Sequence, residues 1–309
     1  MLPEISNYLK QKINYFSNEE RIIFNGKEYP IQQGNFKSIP LSMQQATIAF
    51  IDGGQAEIIS AGNFSCSFIR VVALIMKDNK NVKQIQKEFF LVTTATYQNS
   101  DIFYESKIFG DKIIDEQELF ISSNDPSIKV GKERAPIFKL ATIARRFAEL
   151  ALSSQIEADY VLLDGTLEPS FRNEEKYLPI QQNICSLAKS SSLFTTSGNS
   201  PVVLLNKIHP GVWSYHLDHS TFFVKLHQQA KHVFRFEGDE QILPFLVHNS
   251  SDAPFLGYPY GLVLADKLAR VSNAEKNSLK MRFLLHNDNK DLLPYLSTSN
   301  AHDILDSLG

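Results

Sequence analysis

The sequence predicts an α/β fold built around a mixed β-sheet, and three observations support this prediction. Several strand-like runs follow one another after residue 45, a strongly amphipathic helix comes next, and a continuous apolar strand follows that helix. Adjacent antiparallel strands need only short links, whereas a strand that comes after a helix can join the sheet in parallel. At 309 residues the chain can bury a large core, as one elaborate domain or as two modest ones.

The first strands are predicted to form an antiparallel meander. They are ATIAFID (46–52), QAEIIS (55–60), SCSFIRVVALIMK (65–77) and KEFFLVTTATY (87–97), joined by short polar links. FIDGG (50–54) covers the end of the first run and the two residues before the second. Its Asp-Gly pair predicts a tight hairpin turn because glycine tolerates a positive φ. Residues 1–40, a short amphipathic helix and a stretch with several Gly and Pro residues, are predicted to be an N-terminal segment preceding a single domain over 41–309.

The elements after the meander are predicted from their periodicity. The stretch PIFKLATIARRFAELALSSQ (136–155) is predicted to be a helix with one buried face, since apolar residues recur every three or four positions. DYVLLDGTL (159–167) is a continuous apolar run, which is typical of a central strand and fits a parallel partner of the first strand. A helix and then a strand ending near Lys189 are predicted within 174–194. Further strands are expected at 213–217, 221–227 and 233–238, and further helices at about 239–248, 262–272 and 300–309.

Composition narrows the classes of function. The net charge is -3, so a nucleic-acid partner must be held by a local groove and not by a global basic field. One basic cluster spans 132–146 and fits either a solvated helix face or a phosphate track. The two cysteines make no disulfide framework, and no apolar run is long enough to span a bilayer, so we predict a cytoplasmic protein without membrane contact.

An apolar strand followed by Asp-Gly occurs twice, at Asp52 and at Asp164. If the two strands are parallel neighbours, both carboxylates emerge at one edge of the sheet, where their repulsion is relieved by a divalent cation. Carboxylates on a rigid edge suit Mg²⁺ or Mn²⁺, ions that serve phosphodiester hydrolysis. Glu149, near the boundary of the buried helix face, offers a third acid. Lys189, at the end of the next strand, either neutralises a phosphate oxygen or simply points to solvent.

Six segments together resemble the NurA nuclease family, the partner of the HerA DNA-translocating ATPase. In chain order they are FIDGG, RRFAEL, YVLLDGTL, SLAKSSS, YPYGLVLADKLARVS and NAHDILD, and they span about residues 45–308. The resemblance implies an RNase H-like core over about 45–210, with C-terminal elements completing the site. It also implies a homodimer that cleaves single-stranded DNA and duplex DNA ends with Mn²⁺ (or Mg²⁺), together with a HerA-like hexameric ATPase, in DNA-end resection and repair.

The same resemblance implies roles for individual residues. Asp52 and Asp164 become metal ligands, Glu149 the third acid, Lys189 the active-site lysine, and His302 a histidine that ligates metal or handles protons. Family members often carry a hydroxyl residue after the first Asp-Gly, whereas Gly54 follows here.

Several alternatives stay open at this point. Glu105 competes with Glu149 as the third acid, and Asp266 is either a fourth acid near the metals or part of a partner-binding helix. Phe255, Tyr258 and Tyr260 are either a stacking platform for bases or packing residues. The chain as a whole is alternatively a non-catalytic adaptor of a HerA-like ATPase, or an actin-type or sugar-kinase-type ATPase domain whose phosphate loops use Asp-Gly turns.

Overall fold

A computed structural model describes residues 1–13, 20–40, 45–129, 131–189, 191–286 and 289. The helices and strands are α1 (Leu2–Ile13), β1 (Arg21–Phe24), β2 (Lys27–Pro30), β3 (Phe36–Ser38), β4 (Thr47–Ala61), β5 (Phe64–Lys77), β6 (Lys80–Gln98), β7 (Asp101–Gly110), β8 (Ile121–Ser122), α2 (Lys139–Ser153), β9 (Tyr160–Asp164), β10 (Ile184–Ala188), β11 (Phe194–Thr195), α3 (Pro201–Ile208), β12 (Trp213–His216), β13 (Thr221–Lys225), β14 (Phe234–Glu237), α4 (Leu243–Asn249), α5 (Tyr260–Ala269) and α6 (Asn273–Leu285).

The chain divides into two compact units that are interleaved in sequence. The first unit takes the described residues of Met1–Ala46, Asp164–Thr166 and Cys185–Tyr260, and the second those of Thr47–Leu163, Leu167–Ile184 and Gly261–Gly309. The division into an N-terminal segment over 1–40 and one nuclease domain over 41–309 stays a prediction.

The second unit contains a mixed sheet that follows the predicted order. Strands β4 to β8 form an antiparallel meander, and β9 lies parallel to β4 on its other edge, with Ile48 opposite Tyr160 and Ile51 opposite Leu163. Asp78 and Asn79, in the predicted polar link, both have positive φ and reverse the chain between β5 and β6. The prediction of an α/β fold with a mixed sheet is confirmed.

Helix α2 covers one face of this sheet, as its periodicity predicts. Leu140, Ile143, Phe147 and Leu150 are fully buried and pack in one core with alternate residues of β4 and β5. Helix α6 covers part of the sheet with Leu279 and other apolar side chains.

Strand pairing and aromatic packing organise the first unit. Strands β1, β2 and β11 form a small antiparallel sheet, and β3, β12, β13, β14 and β10 pair antiparallel in that order. Trp213, Tyr215 and Phe223 are fully buried and share a core with Ile22 and Phe24 of β1. The strands predicted at 213–217, 221–227 and 233–238 are all present.

Two predicted elements need correction. The helix expected within 174–194 is only a 3-10 turn at Glu174–Lys176, because the buried Glu174 carboxylate accepts backbone N–H groups of the preceding loop and ties this segment to it. Helix α6 was missed, although Ser272 caps its N-terminus by accepting from the Glu275 N–H, and a Ser followed three residues later by Glu is a capping-box sequence. The helix predicted over 300–309 lies outside the described residues.

The described helices include none with both the length and the apolar character that crossing a bilayer requires.

Candidate active site

FIDGG lies inside a strand and not at a turn, so the prediction of a hairpin there is wrong. Strand β4 continues for 15 residues through this motif. Asp52, Gly53 and Gly54 pair in register with residues 72, 71 and 70 of β5. Neither glycine has the positive φ that a tight hairpin would require of it. The apolar runs 46–52 and 55–60 are therefore one strand.

The two glycines are needed for space. A Cβ atom at Gly53 would lie 2.5 Å from Glu149 Oε1 and 2.8 Å from Arg145 Cγ, both on α2. A Cβ atom at Gly54 would collide with the backbone carbonyl oxygen of Ala269, at the end of α5. Because side chains alternate along a strand, α2 and the end of α5 approach β4 from opposite faces, one at each glycine.

Two buried carboxylates reach Gly53. The Gly53 N–H donates to Asp52 Oδ1 at 2.7 Å, and Asp52 is only 8% exposed. Glu149 is 5% exposed, and its Oε1 lies against the Cα of Gly53. Alternation directs Asp52 to the face of Gly54, so the two carboxylates approach Gly53 from different sides.

Arg145 holds the Glu149 carboxylate in place. Its Nη1 donates to Glu149 Oε1 at 2.7 Å and to the carbonyl oxygen of Gly53 at 3.0 Å. One guanidinium therefore joins α2 to the strand that carries Asp52. Arg145 was not among the predicted site residues, although an Arg and a Glu four residues apart on a helix lie on the same face.

Asp164 and Lys189 form a second pair of site residues, within the first unit. Asp164 ends β9, and Gly165, with a φ of +104°, turns the chain and donates its N–H to the carbonyl oxygen of Leu187 at 3.1 Å. Lys189 comes directly after β10, and its Nζ lies 2.6 Å from Asp164 Oδ2. The Lys189 side chain is 53% exposed, so its ammonium group is both paired and accessible to solvent.

The parallel pairing of β4 and β9 relates the two aspartates in sequence. Within the second unit, Ile51 lies opposite Leu163. Asp52 directly follows the first of these residues and Asp164 directly follows the second. The predicted parallel pairing of the two strands is therefore confirmed.

Glu105 is far from Asp52. It is exposed on β7 and lies opposite Thr94 of β6. Thr94 lies opposite Phe64 of β5, and Phe64 lies opposite Ala61 of β4. Ala61 is nine positions from Asp52, and at a rise of about 3.3 Å per residue the separation along the strand is roughly 30 Å. Glu105 is therefore wrong as an alternative to Glu149 beside Asp52.

Of the two remaining candidates, Asp266 and His302, only Asp266 is among the described residues. Asp266 lies on α5 and is paired with Arg270 at 2.6 Å, one helical turn later. His302 and the surrounding NAHDILD segment lie outside the described residues, so the role of His302 stays a prediction.

Most of the basic cluster at 132–146 is already paired. Arg134 binds Asp101, Arg145 binds Glu149 and Arg146 binds Glu174. The lowered pKa of Asp101 arises chiefly from its hydrogen bonds with Ser122 and Arg134. These ion pairs support a structural role for the three arginines, in preference to a track for DNA phosphates.

Carboxylates are the donors that a hard divalent cation prefers, and two of them lie near Gly53. No three His, Cys, Asp or Glu side chains within the described ranges are grouped closely enough to hold one metal ion. Mg²⁺, however, is usually bound by one or two carboxylates together with water and substrate phosphates. Asp52 and Glu149 have this donor chemistry, since both are carboxylates, but they lie on different faces of β4 and would need a side-chain rearrangement to bind one ion together.

Comparison with known proteins gives a match in fold. No protein-family profile matches the sequence, and no curated protein matches it. The NurA nuclease from Sulfolobus solfataricus superposes with a TM-score of 0.50 at 15% identity, over 94% of each chain. Endonuclease V from Ciona intestinalis has a TM-score of 0.42 at 12% identity, over 77% of this chain and 88% of that one. Human endonuclease V has a TM-score of 0.39 at 11% identity, over 77% and 85%.

The superposition on the NurA nuclease extends over nearly the whole of both chains, so the likeness is not confined to a common α/β motif. The predicted RNase H-like fold class and the predicted resemblance to NurA are confirmed at the level of fold: this chain is folded like the NurA nuclease.

Proposed function

We propose that this protein is a metal-dependent deoxyribonuclease of the NurA type, which cleaves single-stranded DNA and the ends of duplex DNA. The observation that carries the proposal is the pairing of Ile51 with Leu163 in parallel strands, each followed by an aspartate. The likeness in fold to the NurA nuclease supports the same reaction class.

In this proposal Asp52, Asp164, Glu149 and His302 are the metal ligands, and the metal is Mn²⁺ or Mg²⁺. When bound, such an ion would supply Lewis-acid activation of the phosphodiester and of the attacking water. The chain's own contribution is positioning. The Gly53 N–H orients Asp52, and the Arg145 guanidinium orients Glu149.

Lys189 is the proposed electrostatic partner of the substrate. Its ammonium group is bound to Asp164, and its side chain is 53% exposed. A fixed cation that faces solvent can bind a phosphate oxygen and stabilise the negative charge that grows during cleavage.

Partnership with a HerA-like hexameric ATPase, homodimer formation and a role in DNA-end resection and repair belong to the same proposal.

The decisive experiment measures cleavage of labelled single-stranded DNA with Mn²⁺, with Mg²⁺ and with EDTA. We expect cleavage by the wild-type protein with a divalent ion, and a loss of at least about 100-fold in Asp52→Asn and in Asp164→Asn. Glu105→Gln is the matched control, because Glu105 is exposed and distant, and it should cleave like the wild type. Circular dichroism confirms that each variant is folded.

The other possible results of this experiment decide among the alternatives for the site and for the function. Equal activity in the wild type and both aspartate variants contradicts the site assignment. No cleavage by any protein, with or without a HerA-like ATPase, favours the adaptor. The actin-type alternative relied on two Asp-Gly turns, and one of them is not a turn, because FIDGG lies within a strand. Nucleotide hydrolysis by the isolated protein would restore that alternative.

A further inference from the structure

Lys189 has a second partner besides Asp164. Its Nζ lies 5.2 Å from the centroid of the Tyr258 ring, within the range of a cation–π interaction. A lysine side chain has several rotatable bonds, and holding its ammonium group at one point normally costs conformational entropy. Contact with an aromatic face restricts the ammonium group without neutralising its charge.

Tyr258 is itself firmly placed. Its ring packs against Phe234 of β14, with 5.5 Å between the ring centroids, and Phe234 is buried. Its backbone N–H donates to the carbonyl oxygen of Phe255 at 2.8 Å. The preceding Gly257 has a φ of +88° and donates to the carbonyl oxygen of Ser250 at 2.8 Å.

Gly257 also lies so close to another segment that no side chain fits there. A Cβ atom at this position would collide with the Cβ of Ala230. The turn that presents Tyr258 is therefore held by its backbone conformation, by hydrogen bonds and by close packing.

The contacts of Tyr258 argue against a base-stacking role. The ring is engaged with the Lys189 ammonium group and with Phe234. In the same loop Phe255 is 44% exposed, so it is the more accessible aromatic surface.

We propose that Tyr258 is a positioning residue, which holds the Lys189 ammonium group where it faces the scissile phosphate. The proposal rests on the nuclease function proposed above, in which Lys189 contacts the substrate. Because the ring is uncharged, its hold on Lys189 does not depend on the carboxylate of Asp164. Lys189 therefore stays in place when Asp164 binds a cation.

A double-mutant cycle in cleavage tests this proposal. Tyr258→Leu should lower the single-turnover rate between about 3-fold and about 30-fold, the range expected from losing one cation–π contact. Tyr258→Phe keeps the aromatic face and should stay within about 2-fold of the wild type. In a Lys189→Met background, Tyr258→Leu should cause no further loss, because a residue that acts through Lys189 has nothing left to position. Phe194→Leu, which removes an exposed aromatic ring of the same unit, is the control and should cleave like the wild type.

Nuclear magnetic resonance tests the contact without any cleavage. The Lys189 Hε protons, assigned by their absence in Lys189→Met, should be shifted upfield by the Tyr258 ring. The shift should persist in Asp164→Asn and in Phe255→Leu, and it should disappear in Tyr258→Leu.

Two results would overturn the proposal. One is an equal loss from Tyr258→Leu with and without Lys189, which indicates a purely structural role. The other is the absence of an upfield shift in the wild type. If the wild-type protein cleaves no DNA, the nuclease function fails and with it the role of Tyr258 towards a phosphate, whereas the resonance measurement still decides whether Tyr258 holds Lys189.

Discussion

At the scale of single residues, Gly53 and Gly54 set the distances at which two helices approach one strand. A side chain at Gly53 would meet the carboxylate of Glu149 and the Cγ of Arg145, whereas a side chain at Gly54 would meet the backbone of Ala269. A side chain can move away by changing its rotamer, whereas the backbone of a packed helix can move away only if the whole helix shifts. The two adjacent glycines should therefore respond differently to the same substitution.

Gly53→Ala and Gly54→Ala test this difference. We expect Gly54→Ala to lower the free energy of unfolding by about 3 kcal/mol and Gly53→Ala by about 1 kcal/mol, as measured by urea unfolding. Gly53→Ala should nevertheless abolish most of the proposed cleavage, because it displaces the Glu149 carboxylate. Equal stability losses in the two variants, or full activity in Gly53→Ala, would contradict this account.

At the scale of elements, a buried ion pair joins α2 to the loop that follows β9. Glu174 is fully buried, and its carboxylate accepts from Arg146 Nε at 2.8 Å. It also accepts from the backbone N–H groups of Ser170 and Phe171, at 2.7 and 2.9 Å. Tyr177, at the end of the same segment, stacks on Phe147 of α2 at 4.8 Å between ring centroids. The segment that succeeds Asp164 is thereby tied to the helix that carries Glu149.

Removing the charge of Glu174 should be costly. Glu174→Gln removes a buried negative charge from beside the Arg146 guanidinium, which is only 13% exposed. We expect a loss of about 3 to 5 kcal/mol in the free energy of unfolding, measured in urea. Glu28→Gln is the control, since Glu28 and its partner Arg21 are both half exposed at 3.6 Å and should contribute at most about 1 kcal/mol. A loss of similar size in both variants would show that burial does not govern this pair.

The lowered pKa of His216, on β12, predicts that the stability of the fold depends on pH. Burial is the largest of the causes that lower the pKa of His216, and Lys37 lowers it further, while Glu240, at 3.1 Å, opposes both. Phe222 packs edge-on against the imidazole ring. The native state therefore binds a proton on His216 less readily than the unfolded chain does.

The sign of the effect follows from proton binding. Because the unfolded state binds more protons in the interval between the lowered native pKa and the ordinary value of 6.5, stability falls as the pH drops through that interval. Thermal unfolding between about pH 7.5 and about pH 5 should show this fall, and His216→Gln should reduce it. The exposed His219, changed to Gln, serves as the control. An unchanged pH profile in His216→Gln would show that other groups cause the dependence.

At the scale of the whole molecule, charge constrains how DNA is captured. The net charge is -3, and three arginines of the main basic cluster are bound to carboxylates. Non-specific affinity for DNA comes mainly from unpaired Lys and Arg side chains that neutralise phosphates. For the proposed nuclease, this charge balance favours delivery of DNA by a motor over unaided capture of duplex.

Binding of labelled duplex DNA should therefore be weak. Fluorescence anisotropy with Asp52→Asn, chosen to prevent cleavage, should give a Kd above about 1 μM at about 150 mM salt. Addition of a HerA-like ATPase should strengthen binding. Nanomolar affinity of the isolated protein at this ionic strength would contradict the proposal.

Local patterns in the sequence were enough to predict most elements. The spacing of the apolar residues in α2 was enough to predict its buried face. The direction in which a helical side chain points depends only on its position in that helix. The continuous apolar run of β9 indicated a strand covered on both faces, and its order after a helix indicated the parallel pairing with β4. Asp164, Gly165 and Lys189 were all placed correctly relative to their strands.

Other features depended on contacts that no local pattern contains. Asp-Gly predicts a turn when only the backbone preference of glycine is considered, and this preference misled the interpretation of FIDGG. What decides the matter is a helix on either side of β4, because α2 and the end of α5 occupy the volume that two side chains would fill. Arg145 and Tyr258 were likewise recognised only when their partners, distant in sequence, came within reach.

The sequence by itself thus determined the order and type of the main elements and the acids that end or interrupt two apolar strands, because hydrophobic periodicity and strand-end chemistry are local. Only the tertiary structure decided that Asp52 lies in mid-strand, that two glycines make room for helices, and that a ring and a guanidinium hold Lys189 and Glu149. These facts are steric and electrostatic relations between segments far apart in the chain, so they exist only once the chain has folded.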